Sequence, residues 1–275
     1  MKSRFFVGRR GSQVFLSVFQ WRGEEVKEQM IRASVAAMDA IWQVAPEARF
    51  VHCDPMIHVA ANAKKPQQKS AAERQRRSQF ESWDMIAGRR KAHLGENPKY
   101  LDIIGANYYI HNQWIHPGGP NTLLPPTHSQ HRPIWEILQE IYARSQRPIF
   151  IAETGIEAEE RPAWLRYIAG QAHLAMRNGV PLSGLCLYPI VNHPGWDDDR
   201  HCTNGLWDYA DEAGHREIFA PLVEELKHQQ QLFAAPLDAA ESTPAGEETA
   251  PSRKLQEAAR KMKRLSEFGR KKRRR

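Results

Sequence analysis

With 275 residues, 41% of them hydrophobic and 26% charged, the sequence fits a soluble globular protein of one or two domains, and no apolar run approaches the ~20 residues that a membrane-spanning helix needs. The net charge of +7 sits at one end: residues 252–275 hold twelve Lys/Arg against two Asp/Glu, which leaves 27 basic and 30 acidic side chains in the rest. Three cysteines (Cys53, Cys186, Cys202) without a CxxC pair argue against a disulfide framework and point to a reducing, cytoplasmic compartment.

Residues 1–23 form a divergent N-terminal segment. Lys2, Arg4, Arg9 and Arg10 precede an apolar string that is too short for a secretory core, and no small-residue cleavage site follows it. The string VFLSVFQW reads as a strand. From Glu24 to Trp42, Val26, Met30, Ile31, Met38, Ile41 and Trp42 recur near every 3.6 residues and predict an amphipathic helix, which Pro46 ends. RFVHCD at 49–54, bounded by two prolines, reads as a buried strand. A polar loop from Lys64 to Arg77 then leads to a helix around Phe80, Trp83 and Ile86.

The alternation continues. LDIIGANYY (101–109) is strand-like, and after a Gly/Pro/His loop a helix places Ile134, Ile137, Leu138, Ile141 and Tyr142 on one face. PIFIAETG (148–155) is the third strand. Its helix carries Trp164, Leu165, Ile168 and Leu174 and stops at Asn178-Gly179. LSGLCLYPI (182–190) is the fourth strand, and a helix through Ile218, Phe219, Leu222, Val223 and Leu226 follows. Four buried strands, each followed by a helix, predict an α/β fold with a parallel sheet over 24–233. Residues 234–251, rich in Ala, Pro, Glu, Ser and Thr, read as a disordered linker, and 252–275 as a basic tail.

The chemistry gathers where α/β barrels build their sites, at the C-terminal ends of the strands. IAETG at 151–155 sets Glu153 at a strand mouth, where an unpaired buried carboxylate is costly, so pairing or catalysis is expected. Asn107, Tyr108 and Tyr109 end the second strand, with an amide and two phenols suited to a carboxylate and to sugar hydroxyls. Tyr188 ends the fourth strand, and its loop carries Trp196 followed by Asp197, Asp198 and Asp199. An indole face stacks on a sugar ring while carboxylates accept from its hydroxyls. The histidine pairs His111/His116 and His128/His131 read as solvated loop residues, and neither a metal site nor a cofactor is expected.

The strings DIIGANYY, IFIAETG and GLCLYPIVNHPGWDDD–NGLWDY resemble, in order and spacing, the last three strands of family-one β-glucosidases, retaining glycoside hydrolases with a (β/α)8 (TIM) barrel. The resemblance spans residues 24–233 and implies a partial barrel of about the last four βα units. It implies Glu153 as catalytic nucleophile, Tyr108 or Tyr109 as the tyrosine that holds it, and Asn107 as the preceding asparagine. Trp196, with Tyr188 and Asp197, matches the substrate-binding wall. His52 and Asp54 end the first strand without a firm counterpart. The eighth-strand loop departs from the family by being short and lacking its acidic-aromatic pairing.

Retaining hydrolysis needs a second carboxyl group as proton donor, which the family carries in an Asn-Glu-Pro string. No such string occurs. Gly95-Glu96-Asn97-Pro98 lies in the wrong element, and Glu24 and Glu25 suit the first turn of a helix. Four strands cannot close an eight-stranded barrel, so self-association through the open edges is expected. The expected function is therefore an impaired, β-glucosidase-type hydrolase of carbohydrate. Two alternatives stand beside it: a non-catalytic carbohydrate-binding module, and nucleic-acid or acidic-surface binding by the tail, where Arg270 to Arg275 is an unbroken basic run.

Overall fold

The computed structural model describes residues 11–94, 97–119, 122–195 and 200–237, with side chains from Gly23 onward. In chain order the elements are α1 (Gly11–Val44), β1 (Val51–Pro55), β2 (His58–Ala60), α2 (Lys69–Arg77), α3 (Glu81–Ile86), β3 (Ile103–Asn107), β4 (Gln113–Ile115), α4 (Ile134–Ser145), β5 (Ile149–Thr154), α5 (Arg161–Arg177), β6 (Leu182–Leu187), β7 (Trp207–Ala210), β8 (Arg216–Ile218) and α6 (Ala220–Ala234). The main sheet runs β1-β3-β5-β6, and each neighbouring pair is parallel. The four expected strands are thus present in one sheet, in sequence order.

The period-two pattern of the strands and the 3.6 pattern of the helices meet in one core. Ile104, Ala106, Ile149 and Ile151 are fully buried, and they face Ile134, Ile137, Leu138 and Ile141 of α4 and Trp164 and Ile168 of α5 within a single apolar cluster. Burying such side chains contributes about 1.5–3 kcal/mol each and holds the helices on one face of the sheet. The opposite face is open. Val51 is 45% exposed and Cys53 is exposed, and both pack under Gly105, where an added Cβ would lie within 3 Å of each.

Several expectations are corrected. VFLSVFQW lies in α1, not in a strand. A helix nucleated from Glu24 onward gains a hydrogen bond for each added residue, and no turn-forming pair separates the two segments. The expected loop from Lys64 to Arg77 contains α2, which carries little apolar periodicity because it is tied by ion pairs, Arg76 to Glu73 (2.8 Å) and Arg76 to Glu140 (2.7 Å), and buries only Ala72. Ile218 pairs with Trp207 in the antiparallel hairpin β7–β8, and Pro221 in the first turn of α6 sets that helix's start beyond Phe219. The fourth strand ends at Leu187. The short parallel pair β2–β4 was not anticipated. Gly179, at φ +80, terminates α5 as its sequence indicates. Linker residues 238–251 and the whole tail lie outside the described residues. No helix among the described residues is long and apolar enough to cross a membrane.

Candidate active site

The string Glu153-Thr154-Gly155 is explained residue by residue at the end of β5. Strict alternation from Ile149 and Ile151, both fully buried against the helices, would turn Glu153 toward them as well. Between β3 and β5 the register instead advances two residues on one strand and three on the other, from Gly105↔Phe150 to Asn107↔Glu153. The extra residue is a β-bulge, which re-aims the side chain that follows it. Glu153 thereby lies beside Asn107, whose Nδ2 donates to its Oε2 at 2.8 Å. Thr154 turns inward, fully buried, and accepts from Trp164 Nε1 at 2.9 Å. Gly155 has no side chain because a Cβ there would run into the carbonyl oxygen of Tyr188.

Tyr109 donates a short hydrogen bond from its hydroxyl to Glu153 Oε1. Burial pushes the Tyr109 phenol above its ordinary range, and the adjacent Glu153 carboxylate raises it further, so the hydroxyl stays a donor. Tyr108 is placed differently. It is 2% exposed, stacks on Trp164 at 6.0 Å with an interplanar angle of 3°, and accepts from Gln113 Nε2 at 2.9 Å. Consecutive residues leave the strand in opposite directions, so of the two candidate tyrosines the one beside Glu153 is Tyr109, and Tyr108 belongs to the core.

Glu153 and Tyr109 line a cleft of about 330 Å³ that Tyr188, His193, Asn204 and Glu157 also enter. Tyr188 thus lies where its sequence position suggested. Trp196 and Asp197 fall outside the described residues. His52 and Asp54 do not face the cleft: Asp54 accepts a short hydrogen bond from Ser82 on α3, and burial raises its carboxyl above the usual carboxylate range. Glu24 pairs with Lys91 at 2.5 Å, remote from β5. Among the described residues the second carboxylate of the cleft is Glu157, whose two oxygens both accept from Arg200, at 2.6 and 2.9 Å. Four residues after Glu153, it carried no strand-end signal of its own. His193 and Asn204 were likewise not singled out, because only the folded β6–β7 connection brings them to the cleft. Among the described residues, no group of three or more His, Cys, Asp or Glu is arranged to hold a metal ion.

No protein-family model matches the sequence, and no curated protein does. Solved structures match the fold. The β-glucosidase from Pyrococcus furiosus superposes with a TM-score of 0.58 at 18% identity, over 76% of this chain and 47% of that one. The β-glycosidase from Thermosphaera aggregans gives 0.59 at 15% identity, over 86% and 51%. The β-glucosidase from Thermotoga maritima, in complex with glucoimidazole, gives 0.56 at 15% identity, over 74% and 56%. The chain spans about half the length of the structures it matches. Its four parallel βα units therefore have the fold of part of a β-glucosidase-type TIM barrel.

Proposed function

We propose that the chain is a β-glucosidase-type glycoside hydrolase unit that works by the retaining route, with Glu153 as nucleophile. The observation that carries this reading is the Glu153 carboxylate, held by Asn107 on one oxygen and Tyr109 on the other, at a strand end inside a cleft. Such two-sided anchoring presets the carboxylate for attack on an anomeric carbon. The Glu153 oxygen forms a bond to that carbon as the bond to the leaving oxygen breaks, and water later releases the sugar.

The second half of the chemistry is weaker. A retaining site needs a proton-donating carboxyl group about 5–5.5 Å from the nucleophile. Among the described residues Glu157 is the other carboxylate of the cleft, and Arg200 occupies both its oxygens. General acid catalysis typically supplies ~10²–10⁴-fold, mostly for poor leaving groups. The isolated chain is accordingly an impaired hydrolase that favours aryl glycosides over disaccharides.

A fluorinated-sugar inactivator should label Glu153 and no other carboxylate. With an aryl glycoside a burst should precede slow turnover, azide should speed the release, and Glu153→Gln should abolish both. Labelling elsewhere, with Glu153 untouched, removes the assignment. A folded chain that binds sugar and shows neither label nor burst is the non-catalytic carbohydrate-binding module instead.

Two further elements belong to the same proposal. The open half-barrel self-associates, and the basic tail, by its composition, binds polyanions through counterion release. Deleting residues 252–275 should abolish nucleic-acid binding and leave sugar binding intact; binding that survives the deletion, or that ignores salt, removes the tail from the account.

A further inference from the structure

Asn204 stands on the cleft wall formed by the connection between β6 and β7. The backbone around it is fixed from three sides. The Gly205 amide donates to Asn192 Oδ1 at 2.6 Å, and Asn192 Nδ2 donates to Asp208 at 2.7 Å. Arg161 donates a short hydrogen bond to the Gly205 carbonyl. A Cβ on residue 205 would lie 2.5 Å from the Asn192 nitrogen, so glycine alone lets the two segments approach this closely. Asn204 is therefore carried on rigid backbone.

Its side-chain orientation follows from a neighbouring ring. His193 Nδ1 lies 2.6 Å from the carbonyl oxygen of Pro194. A carbonyl only accepts, so Nδ1 donates to it, which leaves Nε2 to act as the acceptor of the ring. Asn204 Nδ2, 3.3 Å from that Nε2, donates to it. The amide is thus set with Oδ1 turned away from the histidine, and Oδ1 is buried with no hydrogen-bond partner among the described residues. A buried acceptor is costly to leave unpaired, and one on the wall of a cleft is satisfied by whatever fills that cleft.

We infer that Asn204, oriented by His193, recognises a ligand hydroxyl: its Oδ1 accepts from one ring hydroxyl of a neutral pyranoside bound against Glu153. An unpaired carbonyl oxygen calls for an O–H or N–H donor and repels an anion. Among the described residues two carboxylates, Glu153 and Glu157, line the cleft, so its field also disfavours acidic sugars. The inference rests on the reading of this cleft as a sugar site and adds to it a residue from the β6–β7 connection.

The test compares dissociation constants of the full chain for methyl β-glucopyranoside and the set of its monodeoxy analogues. Removing the hydroxyl that Asn204 recognises should weaken binding about five- to tenfold, the worth of one net hydrogen bond. Asn204→Leu should bind the parent sugar weaker by the same factor and cease to distinguish that one analogue. Asn204→Asp, which keeps an acceptor at the site, should still distinguish it. His193→Leu, which frees the amide to rotate, should blunt the preference without changing which hydroxyl is read. An Asn204→Leu profile identical to that of the unaltered chain across the deoxy set, with Glu153 still labelled by the fluorinated sugar, overturns the Asn204 assignment alone. An unaltered chain that binds none of the set and is not labelled overturns both readings.

Discussion

At the scale of single residues, the two neighbouring tyrosines separate packing from chemistry. Tyr109 donates to the carboxylate that the proposed reaction uses, whereas Tyr108 accepts from Gln113 inside the core. A hydrogen bond to a charged group contributes about 1.5–3 kcal/mol. Tyr109→Phe should therefore lower kcat/KM on an aryl glycoside by roughly 10–100-fold, if the bond persists in the transition state. Its melting temperature should barely move. Tyr108→Phe removes the acceptor of one neutral hydrogen bond, and Gln113 Nε2 keeps its second partner, the Arg132 carbonyl, at 2.8 Å. That variant should cost about 1 kcal/mol of stability and leave kcat/KM within a few-fold. Equal kinetic losses in the two variants would remove Tyr109 from the site.

At the scale of elements, the loops after β1 and β3 hold a group of histidines whose protonation opposes folding. His131, just before α4, is pushed down to about 4 by burial first and then by its neighbours His58 and His128. His58 on β2 is lowered too, by burial and by Arg132 and Arg76. In each case the folded value lies below the ordinary 6.5, so the unfolded chain binds the extra proton. Their contribution is complete above about 6.5 and is lost as pH falls toward 4. Urea midpoints should drop between pH 7 and pH 4.5, and His131→Leu should flatten the drop; an unchanged pH dependence in that variant would clear His131 of the role. These elements also mark what the sequence makes legible. Buried parallel strands are apolar strings between prolines and glycines, so β3, β5 and β6 and the strand-end position of Glu153 can be read directly. The bulge that turns Glu153 to the open side cannot, because alternation from Ile149 predicts the opposite face. Nor can the choice between Tyr108 and Tyr109, which depends on where β3 stops. The helix α2 is hidden because ion pairs replace an apolar stripe, and Asn204 because no local pattern announces an acceptor left unpaired by its neighbour's tautomer.

At the scale of the whole molecule, the four-stranded sheet is the feature with the largest consequence. Among the described residues β1 and β6 each have a strand partner on one side only, so two rows of backbone donors and acceptors stand open. The sheet face away from the helices carries Val51 at 45% exposure and the exposed Cys53. Beyond the end of β6 the apolar surface continues through Ile190 (53%), Val191 (39%), Trp207 (38%) and Ile218 (43%), which the bridges Val191↔Trp207 and Trp207↔Ile218 bring together. Unpaired edges and contiguous apolar surface both favour association, and hydrophobic burial is the main favourable term available to either. The 275-residue chain should therefore sediment as species larger than a monomer, increasingly so at higher concentration. Val51→Lys puts an ammonium on the open face beside the β1 edge, a device by which sheet proteins discourage pairing, and it should shift the distribution toward monomer. Because Val51 is nearly half exposed, that substitution should cost little stability, so a shift in mass without a shift in melting temperature reports the interface and not unfolding. A strictly monomeric chain with a sharp, cooperative melt at every concentration would mean that the open edges are satisfied within the molecule, and the self-association would be withdrawn.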